Sequence, residues 1–174
     1  MVRILGEHEI TKEHISQIVA LETRIYGKKE SVRKYEEIHK KNTGVYNIVV
    51  DESNKAIGCI ETIPVKSGAY KKLKSGKNDR FLNRNNVLSK KEVRSGKPIN
   101  IYIGSVIVDP KYQNGQATFK LYNAFKEKMS SLNNEGVVIN ASLAHAVTKD
   151  GVKACKFYGM ENIKSIVYEK KRVK

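Results

Sequence analysis

A short polar loop between an apolar run and a helix-patterned segment carries the clearest chemical signal in this sequence. Residues 106–108 are apolar, residues 109–115 form the loop, and the helical pattern begins at Gln116. A glycine-containing loop that opens into a helix presents backbone N–H groups and the positive end of the helix dipole, and together these bind phosphate. Gly115 and Ala117 are small enough to let a bulky pyrophosphate approach the backbone. The alternative is a plain turn that needs Gly115 only for its backbone angle.

This loop resembles motif A of the GNAT superfamily, the acetyl-CoA-dependent N-acetyltransferases. The family pattern R/Q-x-x-G-x-G/A falls on residues 112–117, where Gly115 and Ala117 match and Tyr112 replaces the usual Arg or Gln. The resemblance implies that acetyl-CoA is the co-substrate. It also implies that backbone N–H groups hold its pyrophosphate, and those groups would belong to Gln113, Asn114, Gly115, Gln116, Ala117 and Thr118.

The resemblance further implies an α+β fold, with a mixed, mostly antiparallel sheet flanked by helices. In such a fold the fourth and fifth strands splay apart, and the pantetheine arm of the cofactor lies between them. The apolar runs predict these strands at residues 101–108 and 137–142. Main-chain groups near Ile107 and Val108 would then pair with the pantetheine amides.

A second stretch, residues 148–160, resembles the family's motif B, N-x-x-A-x-x-φ-Y-x-x-x-G-F, where φ is apolar. The tyrosine of this motif usually protonates the departing thiolate of coenzyme A. Aligned without gaps, Cys155 occupies the tyrosine position, whereas a shift of three residues places Tyr158 there but loses the spacing to Gly159. Both are candidate general acids. The alternatives are a small buried thiol for Cys155 and a core aromatic for Tyr158.

The attacking amine must also lose a proton, and Glu61 is the candidate base. In the predicted strand 56–65 it alternates with Ile57, Cys59 and Ile63, so that a charge shares a face with apolar residues. Burial would raise the pKa of Glu61 and suit it to accept a proton near neutral pH. The alternative is a glutamate at a strand edge that reaches solvent. His145 is a second candidate, and the histidines show no metal-ligand spacing, so we expect no metal.

The order of predicted elements is β-α-α-β-β-insertion-β-α-β-α-β, which is also the element order of GNAT proteins. We expect one domain over residues 1–174, interrupted by a basic insertion at 66–98. The helix over 116–132 is predicted to bury Phe119, Tyr122 and Phe125. A last strand is predicted at 163–168, followed by a basic tail from Lys170.

The chain has 174 residues and a net charge of +15, and much of the excess lies in the insertion. Residues 66–98 hold 11 Lys or Arg and only two acids. A field of this sign attracts anions, so the insertion could bind an acidic acceptor or nucleic acid. The alternative is a solvated loop. No apolar run reaches the roughly 20 residues that span a bilayer, and two cysteines make no disulfide framework, so we expect a cytoplasmic protein without a membrane partner.

These observations predict an enzyme that transfers an acetyl group from acetyl-CoA to an amine by direct attack. One alternative is a basic nucleic-acid-binding α+β module. Another is a GNAT fold that binds a CoA thioester without catalysis, which the altered tyrosine spacing permits. The sequence leaves the acceptor amine and the oligomeric state open.

Overall fold

The computed structural model describes residues 1–27, 30–113 and 115–171, which form a mixed sheet of seven strands flanked by helices. The strands are β1 Arg3–Ile4, β2 Tyr46–Val50, β3 Ala56–Val65, β4 Ile99–Val108, β5 Ile139–His145, β6 Glu161–Lys164 and β7 Val167–Lys171. They lie in the order β1-β2-β3-β4-β5-β7-β6. Neighbouring strands are antiparallel except β4 and β5, which are parallel. This topology confirms the predicted α+β fold.

Helix ends follow local capping chemistry. The helices are α1 Lys12–Tyr26, α2 Val32–Lys41, α3 Ser67–Lys74, α4 Lys90–Val93, α5 Gln116–Asn134 and α6 Lys149–Phe157. Thr11 and Thr148 accept backbone N–H bonds at the starts of α1 and α6. Gly27 and Gly159 follow the same two helices with φ of 65° and 66°, a conformation that favours glycine. Among the described residues, no helix is both long and apolar enough to cross a membrane.

The two faces of the sheet are covered by different helices. On one face, Ile18 of α1 and Leu73 of α3 pack in a cluster with buried strand residues. On the other face, Leu121 of α5 and Cys155 of α6 belong to a second cluster. The long strands β3 and β4 lie between these clusters and are largely buried, because they must contact helices on both sides.

The buried face of α5 differs from the predicted one. Ala117, Leu121 and Phe125 are the buried residues, whereas Phe119 is 65% exposed. The prediction was wrong at Phe119 because several apolar stripes can be drawn on this sequence. The position of the sheet beneath the helix selects the stripe that includes Leu121.

The first part of the basic segment 66–98 folds onto the same face of the sheet as α1 and α2, whereas its last helix contacts the C-terminal half of α5. The segment contains α3, a single 3-10 turn at Asp79–Phe81 and α4. Leu73 and Val87 are fully buried, and Val87 bridges to Val65 at the end of β3. These apolar anchors join the segment to the main core, while most of its lysines stay at the surface.

The C-terminal part of the chain forms a hairpin, whereas the sequence predicts one strand at 163–168 and a free basic tail. β6 and β7 are antiparallel and are joined by a turn in which Ser165 has φ 45°. Lys170 and Lys171 belong to β7 and pair with Ser142 and Ala141 of β5. Backbone pairing is indifferent to side-chain charge, so lysines can extend an interior strand. Residues 172–174 of the predicted tail lie outside the described residues.

Candidate active site

β4 and β5 diverge halfway along β4 and leave one of its edges without a strand partner. Their pairing ends at Ile103 and Ala144, although β4 continues to Val108. A bulge marks the point of divergence, because Ile60 pairs with Val106 while Thr62 pairs with Ile103. Two residues of β4, Gly104 and Ser105, therefore lie opposite the single residue Glu61, so β4 has one extra residue. This geometry confirms the predicted splay.

A cleft of about 580 Å³ occupies the splay. It reaches from Gln113 and Thr118 at the start of α5 to Tyr26 at the end of α1. Ile107 and Val108 line it with buried side chains, so the backbone is the part of β4 that a ligand would meet. The Val108 carbonyl already accepts a hydrogen bond of 3.0 Å from Gln113 Nε2, which ties the loop to the strand.

The loop between β4 and α5 leads to a helix start that has no side-chain cap. Gly115 is the N-cap residue of α5, and it offers no side chain to its first turn. The N–H groups of Gln116, Ala117 and Thr118 belong to that turn, so they have no acceptor within the helix. These are donors that an anion can use. Asn114, which was also predicted to contact pyrophosphate, lies outside the described residues.

Among the residues that the structure describes, none requires glycine at position 115. Its φ of −119° is open to any residue, and a Cβ atom there would lie 3.6 Å from its nearest neighbour, the Tyr112 carbonyl oxygen. The interpretation of Gly115 as a turn residue needed only for its φ is therefore wrong. The free space beside it lies at the start of α5, where a ligand could approach the backbone.

Ala117 has a different role from the one its size suggests. The residue is only 2% exposed and packs in the cluster of α5 and α6. Its small side chain is therefore explained by the core, and only its N–H group is available to the predicted phosphate site. Sequence spacing could not separate these two explanations, because both favour a small residue.

Cys155 and Tyr158 of motif B both line the cleft, from α6 and its C-terminal end. Burial raises the pKa of the Cys155 thiol. Burial and then the neighbouring Tyr122 raise the pKa of Tyr158 to about 12. The Tyr158 ring packs edge-on against Phe125 with centroids 5.3 Å apart. Both groups therefore hold their protons at neutral pH.

Glu61 lies behind the bulge, on the face of the sheet covered by α1 and α2. A Cβ atom at position 104 would collide with Glu61 Oε2, so Gly104 is what allows the carboxylate to lie against β4. Gly104 also lines the cleft, whereas Glu61 borders a separate space of about 30 Å³ with Tyr35 and Tyr102. Burial, then the nearby Glu22 and Asp79 carboxylates, raise the pKa of Glu61 well above its usual range.

Glu22 is a neighbour of Glu61 that the sequence reasoning missed. It is buried, and its Oε2 accepts a hydrogen bond of 2.6 Å from the Tyr35 hydroxyl. Burial raises the pKa of Glu22 although this hydrogen bond lowers it. A signal was present, because Glu22 follows Ile15, Ile18 and Val19 on the apolar face of α1. A carboxylate on a buried helix face indicates a polar cluster inside the core.

His145 is the histidine that lines the cleft, at the end of β5. Its Nε2 lies 2.9 Å from the Leu73 carbonyl oxygen, an arrangement in which Nε2 carries the proton and donates it. The neutral ring then has Nδ1 as its acceptor. The ring also packs edge-on against Tyr102, with centroids 5.4 Å apart. Within the described residues, no group of three His, Cys, Asp or Glu side chains could hold a metal ion.

Comparison with known proteins identifies the family to which this chain belongs. The model of the acetyltransferase (GNAT) family matches residues 13–160, which include the cleft, the loop and both motifs. The chain therefore belongs to the GNAT acetyltransferase family, as its motifs predicted. No curated protein sequence matches the chain significantly.

Several solved structures share the fold at low sequence identity. Ard1 from Thermoplasma volcanium is 11% identical, with 99% of each chain covered and a TM-score of 0.63. Naa50 from Arabidopsis thaliana, in complex with the bisubstrate analogue CoA-Ac-MVNAL, is 14% identical, covers 98% of this chain and 99% of its own, and has a TM-score of 0.59. An aminoglycoside acetyltransferase from an uncultured soil metagenomic sample, in complex with trehalose, is 16% identical, with 95% and 92% coverage and a TM-score of 0.53. At these identities the likeness concerns the fold.

Proposed function

We propose that this chain transfers the acetyl group of acetyl-CoA to an amine by direct attack, without a covalent enzyme intermediate. The observation that carries the proposal is the continuous cleft between β4 and β5, which ends at the uncapped start of α5. Its free β4 edge can pair with amides of the pantetheine arm, and the first turn of α5 can hold a pyrophosphate. When bound there, acetyl-CoA supplies an activated thioester.

The backbone contributes most of the proposed binding. Ile107 and Val108 lie beyond the end of the β5 pairing, where β4 has only β3 as a neighbour. The N–H groups of residues 116–118 have no acceptor within α5. Lys111, an exposed residue of the loop that leads to α5, can reach outer phosphates as a mobile positive charge. Such a site needs small residues and free backbone groups more than particular side chains. The space beside Gly115 supports this proposal.

Tyr158 is the proposed general acid. It borders the cleft and holds its proton firmly at neutral pH, so its hydroxyl can donate toward the departing sulfur as negative charge develops there. Cys155 borders the same cleft, but its thiol is buried in the cluster beneath α6. We therefore assign Cys155 a packing role, although the ungapped motif places it on the family's tyrosine.

Glu61 is the proposed base for the attacking amine. Burial, then the Glu22 and Asp79 carboxylates, raise the pKa of Glu61, so it binds a proton more tightly than an exposed glutamate does. Its carboxylate rests against Gly104, which borders the cleft, so a single water could connect the two sides of the bulge. His145 already lines the cleft and is the competing base.

The acceptor is proposed to enter where α1 ends and α3 passes the cleft. Tyr26 lines this end, and His145 links it to α3 through the Leu73 carbonyl. Arg80 of the insertion lies 3.8 Å from Glu30, just beyond α1. The basic insertion thus borders the acceptor end, which supports a contact with the acceptor.

Two measurements test the proposal. Saturation with acetyl-CoA at about 100 times its dissociation constant should stabilise the fold by about 2.7 kcal/mol, followed as a thermal shift. Release of free CoA thiol should then depend on an added amine, in a panel of polyamines, peptides with free N-termini and aminoglycosides. No thermal shift at millimolar acetyl-CoA would contradict the cleft as a cofactor site. A thermal shift without thiol release from any amine would favour binding without catalysis.

A further inference from the structure

A second cavity of about 200 Å³ lies under the C-terminal half of α5, away from the cleft. Its walls are α4, α5 and the strands β2 to β4, and it shares no lining residue with the cleft. The volume is large enough for several waters or for one small organic molecule. The proposed acetyl transfer does not use this space.

Three buried polar atoms without hydrogen-bond partners belong to residues that line this cavity. They are Lys128 Nζ, Asn47 Nδ2 and Thr62 Oγ1, none of which has a partner among the described residues. Thr62 is only 1% exposed, and the Lys128 ammonium is buried although part of its stem reaches the surface. Leaving such groups unpaired is costly, so three of them around one cavity indicate an occupant that accepts hydrogen bonds.

The charges around the cavity indicate the sign of the charge on that occupant. Lys90 forms an ion pair with Glu7, and Arg94 pairs with Glu135 at 2.6 Å. Lys128 forms no ion pair within the described part of the chain, so one positive charge remains uncompensated. A single negative charge on the occupant would balance it.

Part of the remaining wall is apolar. Ile99, Ile101 and Leu132 line the cavity beside the three polar groups. All three polar groups can donate a hydrogen bond, and a carboxylate offers two oxygens with several acceptor sites. An occupant that satisfies the donors, balances one charge and contacts the aliphatic walls is a carboxylate with a short alkyl tail.

We propose that this cavity is a binding site for a small aliphatic monocarboxylate, held by Lys128, Asn47 and Thr62. The Lys128 ammonium balances the charge of the carboxylate, and the Asn47 amide and Thr62 hydroxyl donate to its oxygens. The tail lies against the aliphatic walls formed by β4 and α5.

Sodium propionate is a suitable probe, with sodium chloride at equal ionic strength as the reference. Propionate should raise the thermal midpoint of the unmutated protein more than chloride does. Lys128→Met keeps the stem but removes the ammonium, and it should abolish the difference. Lys91→Met removes an exposed charge from neighbouring α4 without touching the cavity, and it should leave the difference intact.

Thr62→Val tests the site without altering its charge. Loss of one hydrogen bond should weaken propionate about tenfold in a calorimetric titration. This variant keeps the proposal testable if Lys128→Met does not fold. Three outcomes would overturn the proposal. The first is an equal propionate effect in Lys128→Met, and the second is an unchanged propionate affinity in Thr62→Val. The third is the absence of any effect on the unmutated protein at 100 mM propionate, about ten times a dissociation constant in the millimolar range. The last outcome would mean that water alone fills the cavity.

The titration of Lys128 gives an independent readout. Burial, opposed by Glu7 and assisted by Lys90, lowers the pKa of Lys128 to about 8. The other charged groups that face it, Arg94 and Glu135, compensate each other. A carboxylate beside the ammonium should raise this pKa, measured from the Lys128 Cε shift by NMR. If propionate leaves the pKa of Lys128 unchanged, the anion binds elsewhere.

Discussion

At the residue scale, the cleft offers two groups that could protonate a departing thiolate, and they differ in access. Cys155 occupies the motif position but is buried beneath α6, with a pKa raised by burial. Tyr158 lies one helical turn later, at the end of the helix, and its ring lines the cleft beside Phe125. The three-dimensional position therefore favours Tyr158 as the general acid, although its spacing to Gly159 does not match motif B.

Tyr158→Phe should therefore lower kcat about 100-fold, the usual loss for a general acid. Cys155→Ala should change kcat far less, although it removes a buried side chain and should lower the free energy of unfolding by about 1 kcal/mol. Steady-state kinetics and urea denaturation of both variants separate catalysis from stability. A large loss of kcat in Cys155→Ala with unaffected Tyr158→Phe would show that the ungapped motif identifies the acid.

Glu61 should set the acidic limb of the pH–rate profile. A base must be ionised to accept a proton, and burial with Glu22 and Asp79 raises its pKa. Turnover should therefore rise with pH until Glu61 is ionised. Glu61→Gln, a neutral isostere suited to the same buried position, should lower kcat and flatten this limb.

His145→Gln is the matched comparison for Glu61→Gln, because His145 is the competing base at the cleft. If the acidic limb persists in Glu61→Gln and disappears in His145→Gln, the histidine is the base. The free energy of unfolding of both variants, measured by urea denaturation, shows whether a loss of turnover reflects chemistry or folding.

At the element scale, the connection from β4 to α5 carries the backbone groups that we propose bind the cofactor phosphates. Gly115 has an ordinary φ and room for a Cβ atom, so a larger residue fits the protein but fills the proposed phosphate site. Gly115→Glu should change the free energy of unfolding by less than about 0.5 kcal/mol. It should abolish the thermal shift produced by acetyl-CoA, because it adds bulk and negative charge beside the pyrophosphate.

Gly136, at the other end of α5, is the matched control for Gly115. Its φ of 76° favours glycine, so Gly136→Ala should destabilise the fold by about 1 kcal/mol. Its affinity for acetyl-CoA, measured by calorimetry, should remain near that of the unmutated protein. Retained acetyl-CoA binding in Gly115→Glu would place the pyrophosphate away from this loop.

At the scale of the whole molecule, the charge of +15 is concentrated in a segment that is packed onto the core. Its lysines are not equivalent. Lys74 lies 2.7 Å from the buried Glu169 carboxylate, whereas Lys72 and Lys77 approach the Phe81 ring at 5.5 and 5.4 Å. Lys164 also donates to the Ser75 carbonyl, so the segment contacts the C-terminal hairpin as well as α1.

Neutralising the exposed lysines of this segment should affect the acceptor and not the cofactor. In Lys71→Gln/Lys72→Gln/Lys77→Gln, the KM for an acidic peptide amine should rise while acetyl-CoA binding stays nearly unchanged. Lys74 is left intact because Glu169 would lose its partner. The KM effect should shrink as salt rises, since exposed charges are screened over about 8 Å at physiological ionic strength.

A second triple variant controls for net charge. Lys40, Lys55 and Lys126 are exposed lysines outside the insertion that do not line the cleft, and their replacement by Gln removes the same charge. This variant should leave the KM for the peptide unchanged. An equal loss of affinity for acetyl-CoA and for the peptide in the first variant would indicate that the insertion lies over the cofactor site. If the affinity for neither ligand changes, the insertion is a solvated surface.

The sequence alone was sufficient for features that depend on near neighbours. Thr11, Thr148, Gly27 and Gly159 cap helices through contacts within a few residues, so their types predict helix ends. The loop from residue 109 to 115 can also be predicted from its local sequence, because an anion site at a helix start uses the backbone. These local signals, in their order along the chain, were enough to predict the family and its α+β fold.

Only the tertiary structure decided which distant residues meet. The bulge at Gly104 brings Glu61 against the edge of the cleft, and α1 adds Glu22 from a part of the chain 39 residues earlier. Burial of Ala117 and exposure of Phe119 depend on how α5 sits on the sheet. Lys128 looks like any other surface lysine in sequence, yet its ammonium is buried. Burial and charge proximity are properties of the assembled fold, so no local pattern can report them.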